Sequence, residues 1–241
     1  MNGFADIHTH LLPDVDDGAQ GISDALKLVQ MAYENGTRTM ILTPHYRGKY
    51  KENDPGWLSE VYDMFCKMVA EKYPNMKLYL GSEVYYEADA PRKLSKRKIL
   101  SINNTRYVLL EFSSKSTRSQ VINGVMEMTQ YGYTPIIAHA ERYPVFRESA
   151  SLTWEVLEMG ALIQLNADSI MGKHGFRVKA YCTKLLKKER AHFIATDAHD
   201  CKMRPPLLRK CYMYVRKKYG DKYSAELFED NAIAMLEDRL M

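Results

Sequence analysis

A chain of 241 residues that is 46% hydrophobic and 27% charged can bury a full core, which excludes a disordered tail or a fibrous repeat and predicts one globular domain over residues 1–241. Its net charge of +4 falls short of the concentrated positive field that would make a nucleic-acid surface the first reading. Four cysteines, at 66, 182, 201 and 211, show no CxxC spacing and no dense framework, so they read as free thiols of a reducing, cytoplasmic compartment.

The N-terminal stretch lacks a charged region followed by an apolar one, and no apolar run approaches the ~20 residues of a membrane span. Instead, short β-branched or apolar runs alternate with longer amphipathic stretches. The runs lie near residues 4–8, 39–43, 77–84, 107–112, 134–139, 161–166 and 192–197. Helix is predicted first over about 22–35, where Ile22, Ala25, Leu26, Val29, Ala32 and Tyr33 share one face and Gly36 marks the stop. Trp57 to Tyr73, ended by Pro74, is the second helix. Others are expected near 117–131, 151–159, 176–189, 205–218 and 224–238. A strand followed by a helix, seven times, predicts an α/β fold of the distorted (β/α)7, TIM-like barrel type, smaller or less regular than the eight-fold barrel. The longest irregular segment, about 86–106, is an excursion between the third and fourth strands.

Nearly every metal-competent cluster falls at or just beyond the C-terminal end of one of these runs, the face where such barrels place their chemistry. The first run ends in His8-Thr9-His10, and side chains at i and i+2 of an extended chain point the same way. Asp17 follows in the loop Asp14-Val15-Asp16-Asp17-Gly18. The second run delivers His45, the third Glu83, the fourth Glu111, the fifth His139, and the seventh Asp197 and His199. Any one such residue is more often a cap or a hydrogen-bonded surface group than a ligand. Five of the seven histidines gathered at one rim with four acids are poorly explained that way. A mixed nitrogen and oxygen ligand set suits Mn, Fe or Zn better than Mg or Ca.

Arg142 and Arg204 stand three and five residues after His139 and His199, close enough to reach over the metals and fork phosphate oxygens. The competing reading is a surface ion pair, with Glu141 or Glu148 for Arg142 and with Asp200 for Arg204. No cysteine is followed six positions later by arginine, which excludes a Cys-x5-Arg thiolate phosphatase, and there is no Walker loop. Asn166 is a candidate neighbour of the ligands or substrate, and Tyr46, Tyr85 and Tyr86 are candidate pocket walls. His174 reads as an exposed loop histidine, and His192 lies at the end of its strand remote from the chemistry. The basic runs 92–98 and 184–190 read as solvated helix faces.

His8-x-His10, the Asp-Val-Asp-Asp-Gly loop, Thr-Pro-His45, Gly-Ser-Glu83, His139-Ala-Glu-Arg142 and Thr-Asp197-Ala-His199 together resemble the polymerase-and-histidinol-phosphatase (PHP) superfamily over roughly residues 4–205. Within it they are most similar to the manganese-dependent protein-tyrosine phosphatases of bacterial capsule and exopolysaccharide synthesis. The resemblance implies three Mn2+ ions, with Fe or Zn as alternatives. The first would be bound by His8, His10 and Asp197. Glu83 would bridge to a second that takes Glu111 and His139, and a third would take Asp17, His45 and His199. It implies attack by a metal-bound hydroxide on a phosphotyrosine protein, with Arg142 and Arg204 holding phosphate oxygens and the His199 region assisting departure of the tyrosyl oxygen. By the same analogy the substrate is the tyrosine-rich tail of a bacterial tyrosine kinase, and a ring-like homo-oligomer is allowed, although no interface signature is visible. The alternatives are a small-molecule phosphatase acting on histidinol phosphate or a similar ester, a related phosphodiesterase acting on nucleic acid, and a non-catalytic regulatory module stabilised by metal.

Overall fold

The computed structural model describes residues 3–48, 50, 54–149 and 151–241. Among the described residues there are nine strands, separated by helices except between the second and third and between the fourth and fifth, and every pairing between them is parallel. β1 (Phe4–Thr9), β2 (Thr37–Leu42) and β4 (Lys77–Leu80) form one sheet in that order. The other sheet runs β3 (His45–Tyr46), β5 (Glu83–Tyr85), β6 (Tyr107–Glu111), β7 (Thr134–Ile137), β8 (Leu162–Asn166) and β9 (Phe193–Ala195). Beyond β9 the chain returns to β1: Asp197 N donates to His8 O at 3.0 Å, and His10 N donates to Ala198 O at 2.8 Å. The result is a curled parallel sheet with helices packed outside it.

All seven predicted runs contain strand, but the second is followed by a further short strand beyond its predicted end and the third is broken in two. Pro44 has no N–H to give the ladder, so β2 stops before it and β3 resumes after it, paired with β5 as β2 is with β4. The run 77–84 is split at Gly81-Ser82, where the Gly81 amide still donates to Leu42 O at 2.9 Å. As a consequence His45 and Glu83 open short strands rather than ending long ones. They are registered partners across β3 and β5, and Tyr85 is registered with Glu111.

Helix α1 (Ile22–Asn35) ends at Gly36, whose left-handed backbone (φ 103°) lets its amide reach the carbonyls of Ala32 and Tyr33. Its buried face is Ala25, Leu28, Val29 and Ala32, one position round from the predicted stripe. α2 (Pro55–Lys72) starts two residues early because Asp54 caps the amides of Gly56 and Trp57, with proline in the first turn. α4 (Arg118–Gln130) is opened by a reciprocal capping box between Thr117 and Gln120. The excursion 86–106 holds the short α3 (Ala90–Ser95). The three brief helices α5 (Pro144–Glu148), α6 (Leu152–Glu158) and α7 (Ala167–Met171) are followed by α8 (Phe176–Lys187). α9 (Arg209–Tyr219) begins four residues after the predicted start. The expected final helix is instead α10 (Asp221–Ala225), one π turn and α11 (Asn231–Leu236). Ala232 and Met235 of α11 pack with Ala5, Ile7, Ile41, Leu109, Ile136 and Phe193 of the strands. No helix among the described residues is long and apolar enough to cross a membrane.

Candidate metal centre

Strand ends and the loops after them bring nine side chains to one mouth. Four overlapping groups have ligand atoms all within 4.8 Å of one another: His10, Asp17, His45 and His199; His8, His10 and Asp197; His8, Glu83 and His139; and His45, Glu83 and Glu111. All nine residues singled out in the sequence as metal-competent are among them. Two of the sets the resemblance implied lie together, His8, His10 and Asp197, and Asp17, His45 and His199, the latter with His10 beside it; only the set around Glu83 is divided. Glu111 lies with His45 and Glu83, and His139 lies with His8 and Glu83, because Glu83 sits between β3 and β6 and is shared by both sides.

The protonation of three imidazoles follows from their partners. Gln164 Oε1 accepts the His139 amide at 2.7 Å, which fixes its amide orientation, so the His8 Nδ1 lying 3.2 Å from that oxygen must donate. Asp16 Oδ2 accepts from His10 Nδ1 at 2.6 Å, and the Asp197 carbonyl accepts from His199 Nδ1 at 2.9 Å. In each ring Nε2 is left for something else. The Nε2 atoms of His8 and His10 are 3.1 Å apart, and Glu83 and Asp197 oxygens lie 3.3–3.6 Å from them. Nitrogen lone pairs and carboxylates aimed at one point in a buried pocket call for a cation.

Unsatisfied buried atoms point the same way. His45 Nδ1, Glu83 Oε2, His139 Nδ1 and His199 Nε2 have no hydrogen-bond partner. The first two are 2.7 Å apart but lack the alignment a hydrogen bond needs. Such atoms cost about 1–3 kcal/mol each when left unpaired. The donor set therefore fits divalent metal with mixed nitrogen and oxygen ligands.

Without metal, acids and histidines hold one another's charge. Burial pushes the Glu83 carboxyl up, but His8, His45, His10 and His139 around it hold it well below the usual carboxylate range. Burial likewise raises Asp197, and the charges of His8 and His139 bring it down. Burial opposes protonation of His45, yet Glu83 and Asp17 push it up to about 9; for His10, Asp16 and Glu83 outweigh burial in the same way. Burial and His10 keep His199 below the usual imidazole range. Glu111 is raised by burial and by the charge of Glu83.

Local backbone is arranged around this geometry. A Cβ at Gly18 would overlap the carbonyl oxygen of His10, so only glycine lets the acidic loop fold over that histidine. His139 (φ 33°) and Asp197 (φ 54°) are left-handed, a conformation costing about 1–3 kcal/mol for residues with a side chain. The bonds from the His139 amide to Gln164 and from the Asp197 amide to His8 O hold the two turns.

The centre opens into a cavity of about 390 Å³ walled by Arg47, Arg142, Arg204, Tyr85, Tyr143, Phe112, Ser113 and Ser114. Arg142 Nη1 donates to Asp197 Oδ2 at 2.8 Å, and Arg204 Nη1 is 3.7 Å from Asp197 Oδ1. The alternative ion pairs are not formed as envisaged. Glu141 is buried and accepts the Asn166 amide at 3.2 Å, while Asp200 accepts the amides of Lys202 and Met203 in the turn that presents Arg204.

Asn166 donates to Asp197 Oδ2 at 3.1 Å. Of the three tyrosines expected as walls, Tyr85 lines the cavity, whereas Tyr86 bonds Glu127 and packs on Phe112, and Tyr46 lies beneath Lys93. His174, though in an exposed loop, is engaged: its Nε2 is 3.0 Å from Asp168 and 3.4 Å from Arg142. His192, remote as expected, accepts the Ile163 amide.

Sequence reasoning missed Asp16, Gln164 and Arg47. Asp16 was visible beside Asp17 in the acidic loop. Arg47, two residues after His45, reaches Glu111 at 3.1 Å and lies 3.8 Å from Asp17. Gln164, mid-strand and flanked by aliphatics, carried no signal.

The family described as capsular polysaccharide synthesis, CpsB/CapC, matches residues 4–237. The chain is 32% identical over 241 residues to the tyrosine-protein phosphatase CpsB of Streptococcus pneumoniae, covering 98% of this chain and 99% of that protein. It is 32% identical over 234 residues to the tyrosine-protein phosphatase YwqE of Bacillus subtilis (strain 168), covering 97% and 92%. A crystal structure reported for YwqE and CpsB as unique metal-dependent tyrosine phosphatases superposes with a TM-score of 0.90 at 32% identity, covering 98% of this chain and 95% of that one. A histidinol phosphate phosphatase of Lactococcus lactis superposes with a TM-score of 0.60 at 14% identity, covering 95% and 99%, a likeness of fold alone.

Proposed function

The chain belongs to the CpsB/CapC capsular polysaccharide synthesis family, and from that premise we propose that it is a metal-dependent tyrosine phosphatase that hydrolyses phosphotyrosine on proteins. The observation that carries this reading is the set of four overlapping ligand groups opening into a cavity walled by three arginines. Full-length similarity to proteins named tyrosine-protein phosphatases supports the tyrosyl substrate. We read residues 1–241 as one catalytic unit, with the nine strands filling seven positions of a distorted (β/α)7 barrel.

We assign His8, His10, Asp17, His45, Glu83, Glu111, His139, Asp197 and His199 as the residues that hold the metal, taken as three Mn2+ ions, with Fe or Zn also suited to the ligands. When bound, the metal supplies Lewis-acid polarisation of phosphoryl oxygens and lowers the pKa of a coordinated water.

The chain's own residues do the rest. Arg142 and Arg204 turn from Asp197 toward non-bridging phosphate oxygens and stabilise the charge that builds on them. Arg47 is the third cation of the mouth and balances Glu111 and Asp17. Tyr85, Tyr143 and Phe112 give the leaving phenol ring an aromatic wall. His199, kept neutral and with Nε2 unpaired, suits a ligand better than a proton donor to the tyrosyl oxygen. The protein substrate we assign by analogy is the tyrosine-rich tail of a bacterial tyrosine kinase, met in the cytoplasm.

The test is phosphate release by Mn-loaded protein from a phosphotyrosyl peptide beside histidinol phosphate, with a chelator-treated control and a His8→Ala/His10→Ala variant. Preference for the peptide, lost on chelation and in the variant, is the expected result. Preference for histidinol phosphate would keep the metal centre and overturn the substrate.

A further inference from the structure

A second cavity, of about 520 Å³, lies beside the metal centre and shares Arg204 with it. Its floor and walls are apolar, with Met171, Met203 and Leu207 among them, and Lys173, Lys202 and Lys210 also line it. Met203 is 67% exposed and Leu207 41%. Asp168 is the sole carboxylate among the described lining residues, and it is already engaged, 3.0 Å from His174 Nε2 and 3.6 Å from Lys173 Nζ. Lys202 and Lys210 make no side-chain ion pair among the described residues.

Resting on the phosphotyrosine reading above, we propose that this cavity is a substrate subsite for an apolar side chain flanked by carboxylates on the phosphotyrosyl protein. Two observations select that occupant. Lys202 and Lys210 are complementary to acidic residues, Lys173 being held by Asp168 and the Met203 carbonyl, and the apolar floor rewards burial of an aliphatic or aromatic side chain. Continuity through Arg204 places the subsite one wall away from the phosphate, so a chain with its phosphotyrosine in the first cavity crosses Arg204 to reach the second. The subsite acts on recognition of the flank and therefore on KM.

The test compares two phosphotyrosyl peptides of equal length on the Mn-loaded full chain, one flanked on both sides by Glu-Leu-Glu and the other by Ser-Gly-Ser. The first is expected to show about tenfold higher kcat/KM, carried by KM. In Lys202→Glu/Lys210→Glu the ratio of the two is expected to fall toward one, and in Met203→Ser to fall in part; all three positions are exposed. Equal kcat/KM for the two peptides on the unaltered protein overturns the subsite and leaves the phosphatase reading standing. A preference that survives charge reversal, or equal loss on both peptides in the variants, also overturns it. Failure to hydrolyse either peptide removes the phosphatase reading and the subsite with it.

Discussion

Asp16 Oδ2 accepts a hydrogen bond from His10 Nδ1 at 2.6 Å and another from the His45 amide at 3.0 Å, so one carboxylate orients two of the residues assigned to metal. The charge of His10 overcomes burial to hold that carboxyl below the usual range. Asp16→Asn removes the charge that holds His10 and leaves a single acceptor oxygen, so either the Gly18 amide or the His10 and His45 donors face its NH2, and the His10 tautomer loosens. Metal affinity is expected to fall about 10- to 100-fold, with activity recovering at higher Mn2+. A chelator-competition titration measures this, and unchanged affinity would leave Asp16 with a purely structural role.

Gln164 should behave differently, because it supports backbone as well as an imidazole. Gln164→Leu leaves the buried His139 amide and His8 Nδ1–H without acceptors, and the orphaned amide alone costs about 1–3 kcal/mol. Urea unfolding of chelator-treated protein isolates that loss from any effect on metal. A midpoint equal to that of the unaltered chain would mean that water or a shifted backbone replaces the amide.

The two arginines on Asp197 differ in closeness, 2.8 Å for Arg142 and 3.7 Å for Arg204. Arg142→Ala is expected to lower kcat on a phosphotyrosyl peptide by about 10²- to 10³-fold. Arg142→Lys should recover little, since an ammonium cannot fork two oxygens. Arg204→Ala should lower kcat less. Unchanged turnover in both alanine variants would remove their assigned role.

Asp6 ties β1 to the chain after β9, accepting the Thr196 amide at 3.0 Å and its hydroxyl at 2.5 Å. Burial outweighs these bonds and pushes its carboxyl up to about 6 from an ordinary 3.8. The folded state therefore keeps this proton longer than the unfolded one. The contribution to stability declines as pH rises from about 4 to 6 and is constant above, a loss of about 3 kcal/mol. Asp6→Asn carries no such charge, so its stability relative to the unaltered chain should rise through that window. Denaturant titrations at pH 4 and pH 7 read the difference, and an equal gap at both would refute it.

Much of the centre was legible in sequence because strand ends are short-range features. His8-x-His10 needs only the two-residue period of a strand, and His45, Glu83, Glu111, His139 and Asp197 each stand at the end of an apolar run. Helix limits at Gly36, Asp54-Pro55 and Thr117-x-x-Gln120 are likewise local chemistry. Which ligands lie together depends on which strands are neighbours: the runs broken at Pro44 and Gly81-Ser82 stay side by side, β2 against β4 and β3 against β5, so His45 and Glu83 meet across them. The left-handed turns at His139 and Asp197, the buried oxygen of Gln164, and the meeting of Arg142 with Asp197 across 55 residues rest on contacts between segments remote in the chain. No local pattern encodes such contacts; packing of the curled sheet fixes them, because a buried donor must find its acceptor wherever the fold has carried it.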